Sequence, residues 1–307
     1  MCRIVFMGTP DFAVPSLQAL IDNGYEIALV VTQPDKPRGR SKQLVMPEVK
    51  ALALEYNLPV FQPQSLKTQE AVDTIKALEP DFLVVAAYGK ILPKSVLDIP
   101  KKACINVHGS LLPQYRGAAP IQWSVLNGDS VTGVTTMLMG EGLDTGDMLL
   151  KKQTAIGENE TAAALFDRLA LLGAEALMQT LETFDSIVPE AQDDTAATYA
   201  PMIDRSLCAI DWSDTAQHIH NKVRGLAEWP VAQAVLGGKR IKIHSGQPAG
   251  KTQAAPGTII DNHKRLVVAC GDGTAYAITS LQLEGKKRMD TTAFLAGHKL
   301  AVGERFE

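Results

Sequence analysis

Four short apolar runs rich in β-branched residues, Ile4 to Met7, Ile27 to Val31, Phe82 to Ala86 and Ile105 to Val107, alternate with segments of helical period. The helical segments are Val14 to Ile21, Val49 to Tyr56 and Ala71 to Leu78. Strands that are apolar on both faces need cover on both faces, and helices between them supply it. The alternation therefore predicts an α/β, Rossmann-like, mostly parallel sheet. Two further strand-like segments, Val131 to Met139 and Met148 to Thr154, follow with no helical period between them. A strong helix then runs from about Thr161 to Phe184. An antiparallel extension of the sheet, closed by a final helix, is the simplest account.

Periodicity is lost after Val188. The stretch PEAQDDTAATYAPMIDRS collects Pro, Asp, Thr and Ala and reads as a linker. A short amphipathic helix, Ala216 to Arg224, then leads into VAQAVL, KRIKIH, LVVAC and TAYAITSL, with Gly237-Gly238 and Gly271-Asp272-Gly273 as hairpin signals. The expected organisation is a domain over 1–188, a linker over 189–207 and a small OB-like β-barrel over 208–307. Trp229-Pro230 is expected to anchor the barrel entrance.

A chain of 307 residues with 46% hydrophobic residues is long enough for two such cores. No apolar run approaches the roughly 18 residues that span a bilayer, and no basic segment precedes the first strand, so no membrane association and a cytoplasmic location are expected. The four cysteines form no C-x-x-C pair, which argues against a disulfide framework or a zinc site. The net charge of −4 divides into −8 for residues 1–207 and +4 for 208–307. Such asymmetry fits a polyanionic partner held beside a separate catalytic unit, and equally fits ordinary surface variation.

The motif inventory narrows the chemistry. The first strand ends in FMGTPDF, with only Gly8 of a dinucleotide-binding G-x-G-x-x-G. Neither a triphosphate-binding G-x-x-x-x-G-K-[ST] nor a nucleophile-presenting G-x-S-x-G occurs. The stretch INVHGSLLP is more informative. Strand alternation projects Asn106 and His108 from one face about 7 Å apart, at the carboxyl end of a central strand where open α/β sheets bind ligands. Asn offers an amide donor and His a donor that can carry charge, which suits an oxyanion or a proton in acyl transfer. A satisfied core histidine beside a turn-forming asparagine is the competing reading.

A carboxylate to orient the histidine is available in GEGLDTGDML, as Asp144 or Asp147, where glycines 140, 142 and 146 would let the backbone bend closely around a ligand. A plain β-turn explains the same residues. The stretch Thr32 to Lys50 carries Pro34, Pro37, Pro47, Lys36, Arg38, Arg40 and Lys42, a loop that is either solvated or grips phosphate. Lys239, Arg240, Lys242 and Lys286 to Arg288 add basic character to the second domain. His218 and His220 are two apart on a helix and cannot meet on one face, so metal binding is not expected there.

Together N-x-H-x-S-L-L-P, YRGAAPIQW, GLDTGD, GTPDFA, TQPD, QPQSL and VVAAYGKILP resemble the 10-formyltetrahydrofolate-dependent formyltransferases, in order and across nearly the whole chain. The resemblance implies a folate co-substrate, 10-formyltetrahydrofolate, no metal, and the trio Asn106, His108 and Asp144 as catalytic residues. It implies Ser110, Leu111, Leu112 and Pro113 beside the folate, with Tyr88, Gly89, Ile91, Leu92 and Gly142 lining the pterin site. It further implies the branch whose acceptor is methionyl-initiator tRNA, acting in translation initiation as a monomer. Arg40, supported by Arg38 and Lys42, would contact that tRNA, and the C-terminal barrel would contact it too. Other branches share N-x-H and the distant Asp: the glycinamide ribonucleotide enzymes are shorter chains with no β-barrel, the hydrolase domain of formyltetrahydrofolate dehydrogenase belongs to a far longer chain, and the UDP-aminosugar enzymes have no need of the Gln33 to Pro47 loop. A non-catalytic RNA-binding protein on the same fold is the rival from another class, and the intact trio argues against it.

Overall fold

The computed structural model describes residues 2–38 and 43–307. These form two compact units, one of Met1–Pro120, Val131–Thr154 and Phe166–Pro201, the other of Ile121–Ser130, Ala155–Leu165 and Met202–Glu307.

In the first unit the strands are β1 (Arg3–Gly8), β2 (Glu26–Val31), β3 (Lys36–Arg38), β4 (Gln43–Val45), β5 (Val60–Phe61) and β6 (Phe82–Ala86). They continue with β7 (Ala103–His108), β8 (Arg116–Gly117), β9 (Val131–Leu138), β10 (Met148–Ala155) and β11 (Tyr199–Ala200). Among the described residues the main sheet has the order β10-β9-β7-β6-β1-β2-β5. β1, β2, β5, β6 and β7 are joined by parallel pairings, and β9 adds antiparallel to β7. The sequence reading anticipates this arrangement except for β5, whose two residues are too short to carry a period.

Alternation along β7 divides its side chains between two environments. Cys104, on the face that carries Asn106 and His108, belongs to a core cluster with Val5, Met7, Leu83 and Val85. Val107 points the other way, where the helix Ala162–Thr183 crosses so closely that a Cβ on Gly173 would lie 2.9 Å from Val107 Cγ1. A one-residue slip of β7 would exchange Ile105 and Val107, packed on that helix-covered face, for the polar Asn106 and His108, which are buried on the opposite face in the observed register. The register that aims Asn106 and His108 is thus set by their apolar neighbours.

The basic stretch after β2 is not a plain loop. β3 and β4 pair antiparallel, Lys36 with Val45 and Arg38 with Gln43, as a two-stranded ribbon that tolerates Pro37 because its other edges are unpaired. Arg40 and Lys42 lie outside the described residues. The ribbon's root is a polar knot in which Lys50 Nζ donates to both Asp35 oxygens (2.9 and 2.8 Å) and to Gln62 Oε1 (2.8 Å). The lysine and the Gln62 amide hold the Asp35 carboxyl below its usual range.

The stretch expected to be a linker divides between the units at Pro201. Its first part is bonded structure: Glu190 exchanges backbone bonds with Met148, and β11 pairs parallel with β8. These are backbone contacts of extended chain, so no hydrophobic period marks them.

The second unit contains β12 (Ala232–Leu236), β13 (Lys239–Lys251), β14 (Ile259–Asp261), β15 (Leu266–Ala269), β16 (Thr274–Leu283) and β17 (Met289–Asp290). The order β12-β13-β16-β15-β14 is antiparallel throughout, with β17 on β16. The C-terminal residues close it into a barrel. Val235 and Glu307 exchange backbone bonds on the β12 side, while Ile259 N–H donates to Glu304 O on the β14 side. Gly237 and Gly238, with φ of 55° and 72°, form the anticipated hairpin turn. Trp229, expected to be an anchor, is 55% exposed; the anchoring ring is Trp212, buried against Phe306 at 5.3 Å. His218 is exposed beside Asp214, whereas His220 is buried, its Nε2 donating to Glu158 O at 3.2 Å, and burial pushes its imidazole pKa down.

Candidate active site

β7 delivers Asn106 and His108 to the carboxyl end of the parallel strands, both buried, Asn106 between Val85 of β6 and Met137 of β9. The chain then turns at Gly109 and Ser110. Thr135, the partner of His108 on β9, staples this turn: its hydroxyl donates to Ser110 O at 2.7 Å and accepts from Leu112 N–H at 3.1 Å.

The turn returns the backbone to the imidazole. His108 Nε2 lies 2.9 Å from Tyr115 O, and because a carbonyl only accepts, Nε2 is the protonated nitrogen in this contact. Nδ1 faces Asp144 Oδ2 at 3.7 Å, near enough for attraction and too far for a formed hydrogen bond. The same Oδ2 accepts from Gly117 N–H at 2.9 Å. The ring is therefore oriented by Tyr115, and Asp144 by the chain just beyond it. The side chains of His108 and Asp144 are only 6% and 15% exposed, so charge that develops between them during a reaction would be screened little by water. This arrangement brings His108 and Asp144 together, with Asn106 two residues before His108 on the same strand. Tyr115, Arg116 and Gln192, which complete it, were not singled out in the sequence, where apart from the YRG stretch nothing marks them.

In the turn that carries Asp144, two of the three glycines pack against the protein. A Cβ on Gly146 would overlap the Leu138 carbonyl oxygen of β9, and one on Gly142 would overlap Thr145 Oγ1, while Gly140 has open space around it. The close approach is to the protein itself.

The residues expected around a folate fall into two groups. Ile91 is 75% exposed, and Leu111 and Pro113 are partly exposed, so these offer apolar surface. Tyr88, Leu92 and Leu112 are enclosed, Leu112 with Met137 and Met148, and Ser110 Oγ is committed to Gln114 O at 2.6 Å. Burial pushes the Tyr88 phenol up to about 12. Its carbonyl accepts from Thr9 Oγ1 and Gln33 Nε2, and the Gln33 amide leaves room only for glycine at position 89. Among the described residues no group of three or more His, Cys, Asp or Glu is placed to hold a metal ion, and no helix is long and apolar enough to cross a membrane.

Two other surfaces have the character of a partner site. The β3–β4 ribbon exposes Leu44 (65%) and its neighbours Val45 and Met46 beside its basic residues. In the second unit a groove of about 800 Å³ is lined by Arg205, Arg240, Lys242 and Trp229.

Residues 2–181 match the family model described as formyl transferase, and residues 202–299 match the model for its C-terminal domain. A methionyl-tRNA formyltransferase of Trichlorobacter lovleyi is 51% identical over 304 residues, covering 98% of this chain and 96% of its own. One of Acetivibrio thermocellus is 50% identical over 307 residues, covering 98% of each. Among solved structures, an N-formyltransferase from Helicobacter canadensis in complex with folinic acid and dTDP-3-aminofucose has the same fold, with TM-score 0.70 and 18% identity over 91% of this chain and 99% of its own. HypX from Aquifex aeolicus in complex with tetrahydrofolic acid matches 98% of this chain with TM-score 0.64 and 17% identity, and the present chain spans about half of that protein's length. With both models matched and half its residues identical to full-length relatives, the chain belongs to the formyl transferase family.

Proposed function

We propose that this protein transfers the formyl group of 10-formyltetrahydrofolate to the α-amine of methionyl-initiator tRNA, for translation initiation in the cytoplasm. The observation that carries this reading is the 51% identity, running through both units, to relatives of that name. In the reaction the amine attacks the formyl carbon, its bond to N10 of the folate breaks, and the amine's proton passes to N10. Asn106 donates to the oxyanion of the tetrahedral intermediate. With both ring nitrogens protonated, His108 donates Nε2–H to Tyr115 O and Nδ1–H to the same oxyanion, while the Asp144 carboxylate takes the amine's proton and returns it to N10. No covalent enzyme intermediate is needed.

Leu111, Pro113 and Ile91 offer apolar surface to the folate, over a floor of Tyr88, Leu92 and Leu112, with Ser110, Gly89 and Gly142 shaping the backbone. Arg38, Arg40 and Lys42 grip the tRNA, helped by exposed Leu44 and Met46. The barrel groove, with Arg205, Arg240, Lys242 and Trp229, supplies a second contact in which phosphates meet cations and a base meets an aromatic face. The protein works as a monomer.

The deciding assay offers labelled 10-formyltetrahydrofolate with methionyl-initiator tRNA, glycinamide ribonucleotide or a UDP-aminosugar. Transfer to the tRNA alone is expected; preferential transfer to either small acceptor would overturn the reading. Arg40→Ala is expected to lower kcat/KM for the tRNA roughly tenfold or more, since hydrogen bonds to charged groups are worth about 1.5–3 kcal/mol, with the KM for folate unchanged. A matching loss of folate affinity would show that the ribbon does not divide the labour this way.

A further inference from the structure

The backbone that holds His108 and Asp144 is under strain at both contacts. Tyr115, whose carbonyl takes Nε2, has φ of 60°, and Asp144 has φ of 51°, both in the left-handed region that non-glycine residues rarely occupy. Such strain is comparable with the net worth of one or two hydrogen bonds, so it persists only where neighbouring groups enforce it.

The enforcing groups come from residues 190–200, the stretch with no hydrophobic period. Thr198 Oγ1 accepts from Tyr115 N–H at 2.8 Å, and Thr198 O accepts from Arg116 N–H at 2.9 Å. Gln192 acts on Asp144 itself. Its side-chain amide donates to the carbonyl oxygens of Asp144 at 2.8 Å and Gly146 at 2.7 Å, bridging the turn. Its Oε1 accepts from Arg116 Nε at 2.9 Å. A guanidinium only donates and a carbonyl only accepts, so the amide has one consistent orientation, with all its polar groups used. Arg116 is in turn fixed by Asp194 Oδ1 at 2.8 Å.

We propose that Gln192 is a positioning residue of the transfer reaction, holding the left-handed Asp144 turn so that its carboxylate stays against the His108 imidazole. The proposal rests on the reading of His108 and Asp144 as the reacting pair. It places part of the active-site geometry in the segment that leaves the catalytic unit, and it distinguishes Gln192 from its exposed neighbours Asp193 and Thr195, which bond to each other.

Two variants separate positioning from packing. Gln192→Met keeps the length and removes every polar contact. Gln192→Glu keeps the shape and the Arg116 partner, yet sets an acceptor where the two carbonyl oxygens require a donor. In steady-state transfer from 10-formyltetrahydrofolate to methionyl-tRNA, both variants are expected to lose about tenfold in kcat. Both KM values should stay within about twofold, with kcat referred to the folded fraction measured by circular dichroism, because a smaller folded fraction would also lower apparent kcat alone. Within an Asp144→Ala background, either change should add less than about twofold, because the group it positions is gone. Normal kcat in Gln192→Glu, or the full tenfold loss recurring in the Asp144→Ala background, would overturn the proposal. Normal turnover by Asp144→Ala alone would overturn the active-site reading instead. Should Gln192→Met fail to fold, Gln192→Glu decides by itself.

Discussion

Asn106→Ala is expected to slow formyl transfer by a factor on the order of 100 to 1000 while leaving both KM values nearly unchanged. The backbone that carries the amide is paired on both sides, with Val85 of β6 and Met137 of β9, and the amide is expected to meet its full partner only when charge develops on the formyl oxygen. Losing one such donor typically raises the barrier by about 3 to 4 kcal/mol. A loss confined to the transition state lowers kcat and kcat/KM together, which separates it from a lost binding contact. His108→Ala should fall in the same range or below it, since it also removes the group Asp144 serves. Single-turnover transfer under saturating folate is the measurement, with circular dichroism to verify the fold. Turnover of either variant within about fivefold of the parent would remove these residues from the mechanism.

Gly146→Ala should be nearly as damaging, for a different reason. Gly146 does not have a left-handed φ, so alanine suits its backbone conformation; what it lacks is room. The added methyl would overlap the Leu138 carbonyl oxygen and press on Met137 Cε at 3.3 Å. Leu138 N–H meanwhile donates to Asp147 O at 2.8 Å, holding the turn against β9. Neither backbone can yield without the other, so the turn must lift away and carry Asp144 with it. Overpacking of this kind costs about 1–3 kcal/mol of stability, and a displacement of about 1 Å at a reacting group costs roughly 100-fold in rate. Gly140→Ala is the control: its Cβ would meet nothing within 4 Å, and activity within about twofold of the parent is expected. Equal behaviour of the two variants in kcat and melting temperature would show that the Asp144 turn is not held by this contact.

The two results probe parts of the site that were unequally visible in the sequence. Asn106 and His108 were legible because strand alternation is a local property, and a pair two residues apart on a buried strand has one geometry. Asp144 was legible as a candidate, but alternation said nothing about which carboxylate would reach the imidazole or from which side. The glycines of its turn were visible, but not what Gly146 meets, the Leu138 carbonyl oxygen of β9. The basic ribbon was read as a loop because three-residue strands carry no measurable period.

What was hidden altogether came through backbone atoms and distant chain. Tyr115 serves through its carbonyl, so its side chain gave no hint. Gln192 sits 48 residues from Asp144 in a polar stretch, joined to it by one hydrogen bond.

From its sequence alone this chain determined its layered α/β unit, its antiparallel barrel and the face from which Asn106 and His108 project, because apolar periodicity and turn chemistry act over a few residues. Only the tertiary structure decided that Tyr115 orients the imidazole, that Gly117 and Gln192 hold Asp144 beside it, and that Gly146 is a matter of space. Those contacts join groups from 7 to 48 residues apart in the chain, and most of them use backbone N–H and C=O, which every residue carries alike.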